Sequence, residues 1–297
     1  MALETRTHNR KTFFKYTSAA TARVILERGA LRWSSPVLFN DPFDVPRELA
    51  FGVGSVDISK ALGQRIAQLI ATPPEDTSVL SVSARRIVEK AQAVRLSGTL
   101  PELIETASAL YDPLEVTGEG MTELRSQWRA WVPKLRILCL TESPAHIAMW
   151  YHYADKYRGA VLEVQCVDKY DSAWFAARKV MYPATKPAIY TADGWATLLT
   201  KENELATREL IMAGIFTKAQ DWSYENEWRL MALSEGPGYY TDHDFHPPEL
   251  AGLYIGPDTA ARDRQQLLRL VAGYPDARVV DVAIGMDRDL HFAPVDG

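Results

Sequence analysis

The chain has 297 residues, of which 47% are hydrophobic and 24% are charged, the balance of an ordinary globular protein rather than a disordered one. Its formal net charge is −5 at pH 7, and its basic residues form no run, which argues against tight binding to bulk nucleic acid through phosphate contacts. A local basic pocket for a small phosphate-bearing ligand remains compatible with this composition.

The cysteines and the apolar segments indicate the cellular setting. Cys139 and Cys166 lie in apolar, strand-like runs, which predicts two reduced, buried thiols. No Cys-x-x-Cys pair is present, so a cysteine zinc site is not expected. The N-terminus lacks an apolar signal core, and no stretch approaches the roughly 20 apolar residues that a membrane span needs. We therefore expect a cytoplasmic protein with no membrane contact.

The first predicted elements are short. Residues 13–17 are rich in aromatic side chains and predict a strand. Ser18 can cap a helix over Ala19–Arg28, where apolar residues fall at helical spacing. Residues 31–34 alternate and predict a second strand, which runs into a loop at 36–46 marked by proline and asparagine.

A helical block follows. Helical periodicity is found at 58–70, 81–96, 100–111 and 123–131. The block lies between two strand-rich regions, and nothing in it resembles a flexible linker. We therefore predict one α+β domain over 1–297 with a helical insertion at 57–133.

The second half mixes strands and helices. Strands are predicted at 135–140, 159–167, 177–182, 228–233, 253–255, 279–283 and 290–292. Helices are predicted at 145–154, 197–213 and 258–272. Because the elements show no regular βαβ alternation, an α+β fold with a mixed sheet is favoured over a doubly wound sheet.

The loop 40–44 is the first candidate for a functional site. Asn40 and Asp41 precede a proline, which favours a turn whose short side chains bond nearby backbone. Under one interpretation the loop is rigid and its acids satisfy its own N–H groups. Under the other it is a wall of a ligand cleft, with Phe39 or Phe43 as a stacking surface.

The second candidate is the segment 149–154, in which four of six residues are aromatic or imidazole. On a helix, Trp150 and Ala154 share a face that would belong to the core, and His152 lies off that face. The segment is either a core helix with one satisfied histidine or a pocket that stacks on a planar ring and offers hydroxyl and imidazole groups.

The third candidate is the segment 222–229, in which aromatic residues surround Glu225, Glu227 and Arg229. If Glu227 opens a strand, Glu227 and Arg229 project to one face, while Trp228 and Leu230 face the core. A carboxylate beside a guanidinium stays ionised. The pair is either a structural ion pair at a sheet surface or part of an enclosed site, where the carboxylate holds a ribose hydroxyl or stabilises positive charge.

The other sequence motifs do not indicate a recognised nucleotide, metal or nucleophile site. Rossmann, Walker and His-Glu-x-x-His patterns are absent, as is a Gly-x-Ser-x-Gly elbow. One set of metal-ligand types lies in a proline-flanked segment, where a solvated loop is favoured: Asp242, His243, Asp244 and His246. A second set offers carboxylate oxygens suited to Mg²⁺ but matches no recognised motif: Asp41, Asp44 and Glu227. No metal cofactor is expected.

The three candidate segments, in this order, resemble the bacterial family known as domain of unknown function 2971. The resemblance spans nearly the whole chain apart from the helical block. It is carried by Phe14-Lys15-Tyr16, Ser34-Ser35-Pro36, Phe39-Asn40-Asp41-Pro42-Phe43-Asp44, Met149-Trp150, His152-Tyr153-Ala154, Gly159, Lys218, Trp222, Tyr224-Glu225, Glu227, Arg229 and the strand-turn at 253–256 with the helix after it. This resemblance implies no activity, because the family has none assigned.

A second resemblance lies in the order of elements. That order is similar to ADP-ribosyltransferase-like domains, including those that modify nucleic acid. The likeness implies a split, mostly antiparallel sheet, an aromatic ring that stacks on nicotinamide, and a glutamate on a late strand that acts at the scissile bond. Carried over, the catalytic residues are Glu227, Tyr153 and His152. The resemblance also implies that Lys15, Tyr16 and Thr17 bind NAD. The interpretation of the three segments as parts of one cleft adds these binding residues: Asn40, Asp41, Phe43, Tyr151, Glu225 and Arg229.

Three functions are therefore weighed. The second resemblance implies an NAD-consuming transferase or glycohydrolase, an effector of bacterial antiviral defence or a toxin, with NAD as substrate and a protein or nucleic acid as acceptor. The first alternative is a non-catalytic module that binds a small nucleotide or a protein. The second is a metal-dependent enzyme that processes nucleic acid.

Overall fold

A computed structural model of the chain describes residues 6–41, 43–49, 52–93, 98–99, 101–105, 113–185 and 191–295. The chain divides into two compact units. The first unit comprises Met1–Phe39, Pro133–Met181 and Gln220–Gly297, and the second comprises Asn40–Val132 and Tyr182–Ala219. The predicted insertion, 57–133, falls in the second unit except for its last residue. The assignment of a single domain over 1–297 stays a prediction.

The strands that the structure describes all belong to the first unit. They are β1 (Thr12–Thr17), β2 (Ala30–Ser34), β3 (Leu135–Leu140), β4 (Ala160–Gln165), β5 (Arg178–Lys179), β6 (Trp228–Leu233), β7 (Tyr240–Asp244), β8 (Leu250–Ile255), β9 (Arg278–Ile284) and β10 (Leu290–Pro294). They form two five-stranded sheets, with the orders β1-β4-β8-β9-β10 and β5-β6-β3-β2-β7. Neighbours pair antiparallel except β8 with β9, which pair parallel. The predicted α+β fold with mostly antiparallel pairing is confirmed.

The core of the first unit joins both sheets to two helices. Ser18 caps the helix Ala19–Arg28 by accepting from a backbone N–H of its first turn, and Gly29 ends it with a left-handed φ of 63°, as its lack of a Cβ allows. Apolar side chains of this helix and of the helix Ala261–Val271 lie in one cluster with residues of β1, β3, β4 and β8. Burial of this shared face is what stabilises the helices, since short helices are marginal alone.

A bridge joins the two sheets at one point. Phe14 of β1 and Thr141, which directly follows β3, exchange two backbone hydrogen bonds of 2.9 Å each. The bridge brings the end of β3 beside β1. Thr141 also lies close to the segment that leads into β6, because β3 pairs with β6 in the register Leu140↔Trp228.

The second unit is helical where it is described. Its helices are Ser55–Ala71, Val82–Ala93, Pro113–Trp131, Ala192–Thr200 and Asn203–Ile215. The core contains Leu62, Ile66, Leu80 and Val88. Of the predicted helix at 100–111, the described residues 101–105 are helical, and the remainder lies outside the described residues, as does the end of the helix predicted at 81–96.

One predicted helix is divided into two helices in the structure. The periodicity at 197–213 predicts one element, but the structure has helices Ala192–Thr200 and Asn203–Ile215. The break follows from Glu202, whose carboxylate accepts from two backbone N–H groups in the first turn of the second helix. A side chain that caps in this way competes with continuation of the preceding helix.

The segment Tyr240–Asp244 corrects a second expectation. A solvated loop is expected for Asp242, His243, Asp244 and His246, but the first three belong to β7, an edge strand that pairs with β2 in the register Leu31↔His243. The guanidinium of Arg32 donates to the Asp242 carboxylate at 2.8 and 3.2 Å. Polar residues on both faces hide the alternation that would reveal a strand. A third correction is smaller: the strand predicted at 177–182 is reduced to β5.

The cysteines differ from their predicted burial. Both are present as reduced thiols, but each is half-buried rather than buried. Burial raises the pKa of the Cys166 thiol to about 11. In addition, no helix in the described part of the chain is long and apolar enough to cross a membrane.

The raised pKa of Cys166 predicts slow alkylation. In a Cys139→Ser variant, where Cys166 is the remaining thiol, the rate of reaction with iodoacetamide should rise about tenfold per pH unit from pH 8 to pH 10, because only the thiolate reacts. Mass spectrometry of timed samples measures the rate. A rate that levels off near pH 9 would contradict the prediction, since an ordinary thiol titrates there.

Candidate functional site

The helix Ile147–Tyr153 separates a core face from an exposed face. Met149, Trp150 and the following Ala154 are buried in a cluster that includes side chains of β1, β4 and β8. Tyr151 and His152 point away from this core and are exposed, and Tyr153 is 38% exposed. The predicted core face and the position of His152 off that face are confirmed.

Tyr16 fixes the start of this helix. Its hydroxyl donates to the Ser143 carbonyl at 3.0 Å and accepts from the His146 N–H at 3.2 Å, and its ring meets Trp150 edge-on at 5.5 Å. Burial raises the pKa of the Tyr16 phenol. Because Tyr16 is enclosed in the core, its contacts support a positioning role for it more directly than contact with a ligand.

The other predicted residues of β1 differ in exposure. Thr17 is buried. Lys15 is half-buried, and its ammonium donates to the Cys139 carbonyl at 3.0 Å. Lys15 is therefore the residue of the three that retains surface for an anionic ligand.

Glu225 is held beneath Tyr153. The Tyr153 hydroxyl donates to a Glu225 carboxylate oxygen at 2.7 Å, and Glu225 is 2% exposed. The Thr141 hydroxyl donates to the Glu225 backbone carbonyl. Asn226 follows with a φ of +43°, a left-handed conformation that asparagine tolerates better than most residues. This turn leads directly to the second glutamate.

Glu227 and Arg229 form a buried bidentate pair. Arg229 Nε lies 2.7 Å from Glu227 Oε1 and Nη2 lies 2.9 Å from Oε2. Arg229 is 0% exposed and Glu227 is 4% exposed. The prediction that both project to one face is confirmed. The pair is buried rather than at a sheet surface, and this planar fork geometry strengthens the bond.

Both carboxylates act on Tyr153. Burial is the first cause that raises the pKa of its phenol, followed by the charge of Glu225, the hydrogen bond to Glu225 and the charge of Glu227. The phenol therefore stays protonated at neutral pH. Tyr153, which is neutral and 38% exposed, thus connects the buried Glu225 carboxylate to the surface of the unit.

Aromatic residues of the 3₁₀ helix Gln220–Glu225 complete the site. Trp222 lies 6.4 Å from the His152 ring and 6.1 Å from the Tyr224 ring. Both residues lie in the candidate segment 222–229, but no catalytic or binding role was predicted for them. Their position directly before Glu225 is the signal that could have identified them.

The predicted residues of the 40–44 loop belong to the second unit. The Asp41 carboxylate accepts from the Phe43 N–H at 2.8 Å, so the predicted turn with side chain to backbone bonds is confirmed there. Phe43 is 85% exposed. Asp44 is buried with Lys218, their charged atoms 3.6 Å apart. The roles of Asn40, Asp41 and Phe43 in binding stay predictions.

The acidic side chains that were considered as metal ligands make other contacts. Asp242 accepts from Arg32 and Arg28, and both oxygens of Glu227 accept from Arg229. Within the described ranges, no group of three or more His, Cys, Asp or Glu side chains is placed to hold a metal ion.

The candidate site coincides with a family match. Residues 149–230 match the family described as "Protein of unknown function (DUF2971)", which confirms the resemblance over these residues. The match includes most of the helix Ile147–Tyr153 and the Glu227–Arg229 pair, and the resemblance outside it stays an expectation. No curated protein and no solved structure matches the chain. The resemblance to ADP-ribosyltransferase-like domains stays an expectation.

Proposed function

We propose that the protein cleaves the bond between nicotinamide and ribose in NAD, as an ADP-ribosyltransferase-like enzyme or an NAD glycohydrolase. The observation that carries this proposal is the arrangement around Tyr153. Its half-exposed phenol donates to buried Glu225 at 2.7 Å and lies within the field of buried Glu227. The Glu225 carboxylate is thus held just behind a surface that a ligand can reach.

The chemistry needs negative charge held in place. When the bond between C1′ of the ribose and the nicotinamide nitrogen breaks, its electron pair leaves with nicotinamide, and the ribose becomes an oxocarbenium-like cation. Water or an acceptor then adds at C1′ and loses a proton. Carboxylates whose positions are fixed beforehand stabilise that cation without reorganising during the reaction.

The geometry suggests a role for each side chain. Glu227 is oriented by Arg229, whose complete burial favours a positioning role over contact with the pyrophosphate. Glu225 is oriented by Tyr153. Lys15 retains exposed surface and remains the candidate to contact the pyrophosphate.

Loss of the Glu227 charge tests the proposal. Purified protein is incubated with NAD, with and without DNA, RNA or cell lysate, and released nicotinamide is measured. In Glu227→Gln, release should fall by about 10² to 10³-fold, the size expected for one preorganised electrostatic group. Glu235→Gln, which removes an exposed carboxylate paired with Lys134, is the matched control and should keep full activity.

Folding must be checked in the same samples. Glu227→Gln leaves Arg229 with a neutral partner, so its thermal unfolding is recorded, and activity is compared at a temperature where both proteins are folded. Nicotinamide release unchanged by the substitution would remove Glu227 from the mechanism. Absence of release under every condition would contradict the enzymatic proposal.

A second candidate is favoured by one observation. Both Glu227 oxygens are bonded to Arg229, as in a structural ion pair, which would suit a module that binds a nucleotide without turnover. For that function, NAD would raise the unfolding temperature while nicotinamide release stays at background.

A further inference from the structure

Glu163 is an acidic residue in a buried position outside the candidate site. It lies in β4 between apolar residues and is 5% exposed. Its neighbours on the same face of the sheet are Phe14 and Tyr254, which belong to a hydrophobic cluster. Burial of a carboxylate costs free energy unless the charge is paired and hydrogen-bonded, so the contacts of Glu163 must account for its position.

One carboxylate oxygen of Glu163 is bonded and the other is not. Oε2 accepts from Arg278 Nη2 at 2.7 Å and from the Tyr254 hydroxyl at 2.9 Å. The same Arg278 nitrogen donates to the Tyr254 oxygen at 2.6 Å. Oε1 accepts a hydrogen bond from no residue in the described part of the chain, and it is not sealed from solvent. Since each carboxylate oxygen accepts about two hydrogen bonds, Oε1 offers acceptor capacity that a ligand can reach.

Arg278 offers donors beside this oxygen. Its side chain is 61% exposed, and its bonds to Glu163 and Tyr254 are both made by Nη2. Nε and Nη1 donate to none of the groups that the structure describes. Because Nη2 already anchors the guanidinium, less side-chain freedom is lost when the other nitrogens bind an anion.

The backbone beside Glu163 is irregular. Glu163 of β4 pairs with Gly252 of β8, whereas the next residue of β4 pairs with Leu250. Ala251 is therefore an extra residue in β8, a β-bulge, and bulges are over-represented next to functional sites, where they redirect a side chain. Gly252 keeps the space beside the carboxylate open, since a Cβ there would lie 3.1 Å from Glu163 Oε2.

We infer that Glu163 and Arg278 bind a free α-amino acid, with its ammonium on Glu163 Oε1 and its carboxylate on Nε or Nη1 of Arg278. One carboxylate and one guanidinium make the pair neutral, so a zwitterion binds without leaving a charge unbalanced, whereas a singly charged ligand leaves one. Phe292 is 37% exposed and its ring meets the Tyr254 ring at 6.0 Å. This apolar surface favours an amino acid with an apolar side chain.

Three probes of similar shape test the inference. L-leucine carries both charges, leucinamide lacks the carboxylate, and 4-methylpentanoate lacks the ammonium. Their binding to the full chain is measured by ligand-observed NMR titration. Leucine should bind about tenfold or more tightly than either analogue, because each analogue loses one hydrogen bond between charged groups.

Two variants assign the two charges. In Arg278→Met the preference for leucine over leucinamide should fall to about one or below, and in Glu163→Gln the preference over 4-methylpentanoate should do so. Each variant should keep the other preference, a division that a purely structural ion pair would not produce. Arg264→Met breaks the pair with Asp281 of the same strand as Arg278 and should keep both preferences. Thermal unfolding confirms that each variant is folded.

The wild-type comparison decides the inference even if a variant fails to fold. No binding of leucine, or equal binding of the three probes, would overturn it. A preference that survives in the variant expected to remove it would overturn the assignment of that charge to the pair. None of these results depends on whether the protein cleaves NAD.

Discussion

Arg229→Met is expected to lower the free energy of unfolding by about 3–5 kcal/mol, because it leaves the Glu227 carboxylate buried without the guanidinium that bonds both of its oxygens. Arg229 is fully buried, so water cannot replace the lost bonds without rearrangement of the core. Urea denaturation followed by circular dichroism measures the change, with the slope of the transition checked for two-state behaviour.

Two further variants isolate the pair. Arg229→Met combined with Glu227→Leu removes both charges and should recover most of the stability, since apolar residues of similar volume commonly replace a buried ion pair at little cost. Arg32→Met breaks the partly exposed pair with Asp242 and should lose no more than about 1 kcal/mol. If Arg229→Met loses as little as Arg32→Met, the buried pair is not the stabilising contact we infer.

Gly159→Ala is expected to cost about 3 kcal/mol or more, at or beyond the upper end of ordinary overpacking. A Cβ at this position would lie 2.2 Å from the Thr17 carbonyl oxygen and 2.8 Å from the Ala154 carbonyl oxygen. Both are backbone atoms, so no side chain can rotate away, and β1 would have to separate from the turn after the aromatic helix. The change is measured from chemical unfolding curves of the variant and the wild type.

Two other glycines serve as comparisons for this prediction. Gly256→Ala should be similarly damaging, because its Cβ would lie 2.2 Å from the Tyr157 carbonyl oxygen. Gly63 lies inside the helix Ser55–Ala71 with nothing within 4 Å of an added Cβ, so Gly63→Ala should stabilise the protein by roughly 0.5–1 kcal/mol. If Gly159→Ala had the same free energy of unfolding as the wild type, the backbone around residue 159 would be able to shift to accept the Cβ, and the prediction would be wrong.

Local signals predicted elements better than their assembly. The cap predicted at Ser18 places the start of the first helix correctly, because it acts through neighbouring residues. The order of strands in two sheets depends on pairing between residues far apart in sequence, which periodicity does not encode. For the same reason β7 was missed, since its polar residues pair with β2 and show no apolar alternation.

The candidate site was predicted in part. Alternation along a strand correctly placed Glu227 and Arg229 on one face, but their burial and bidentate bonding depend on what packs around them. The hydrogen bond from Tyr153 to Glu225 joins two segments, each of which was predicted separately to belong to a functional site. Nothing local indicates that these two side chains meet, because they are 72 residues apart in the chain and long-range packing brings them together.

The two close-packed glycines have a consequence for engineering. Gly159 and Gly256 approach the same short turn, which includes three successive residues of positive φ, Asp155, Lys156 and Tyr157, and the Gly256 N–H donates to the Gly159 carbonyl. If the helix Ile147–Tyr153 and its turn were grafted onto another scaffold, the scaffold would therefore need a glycine at the position equivalent to Gly256. Recombination between relatives should likewise succeed only when the crossover keeps both glycines from the same parent or when both parents have them.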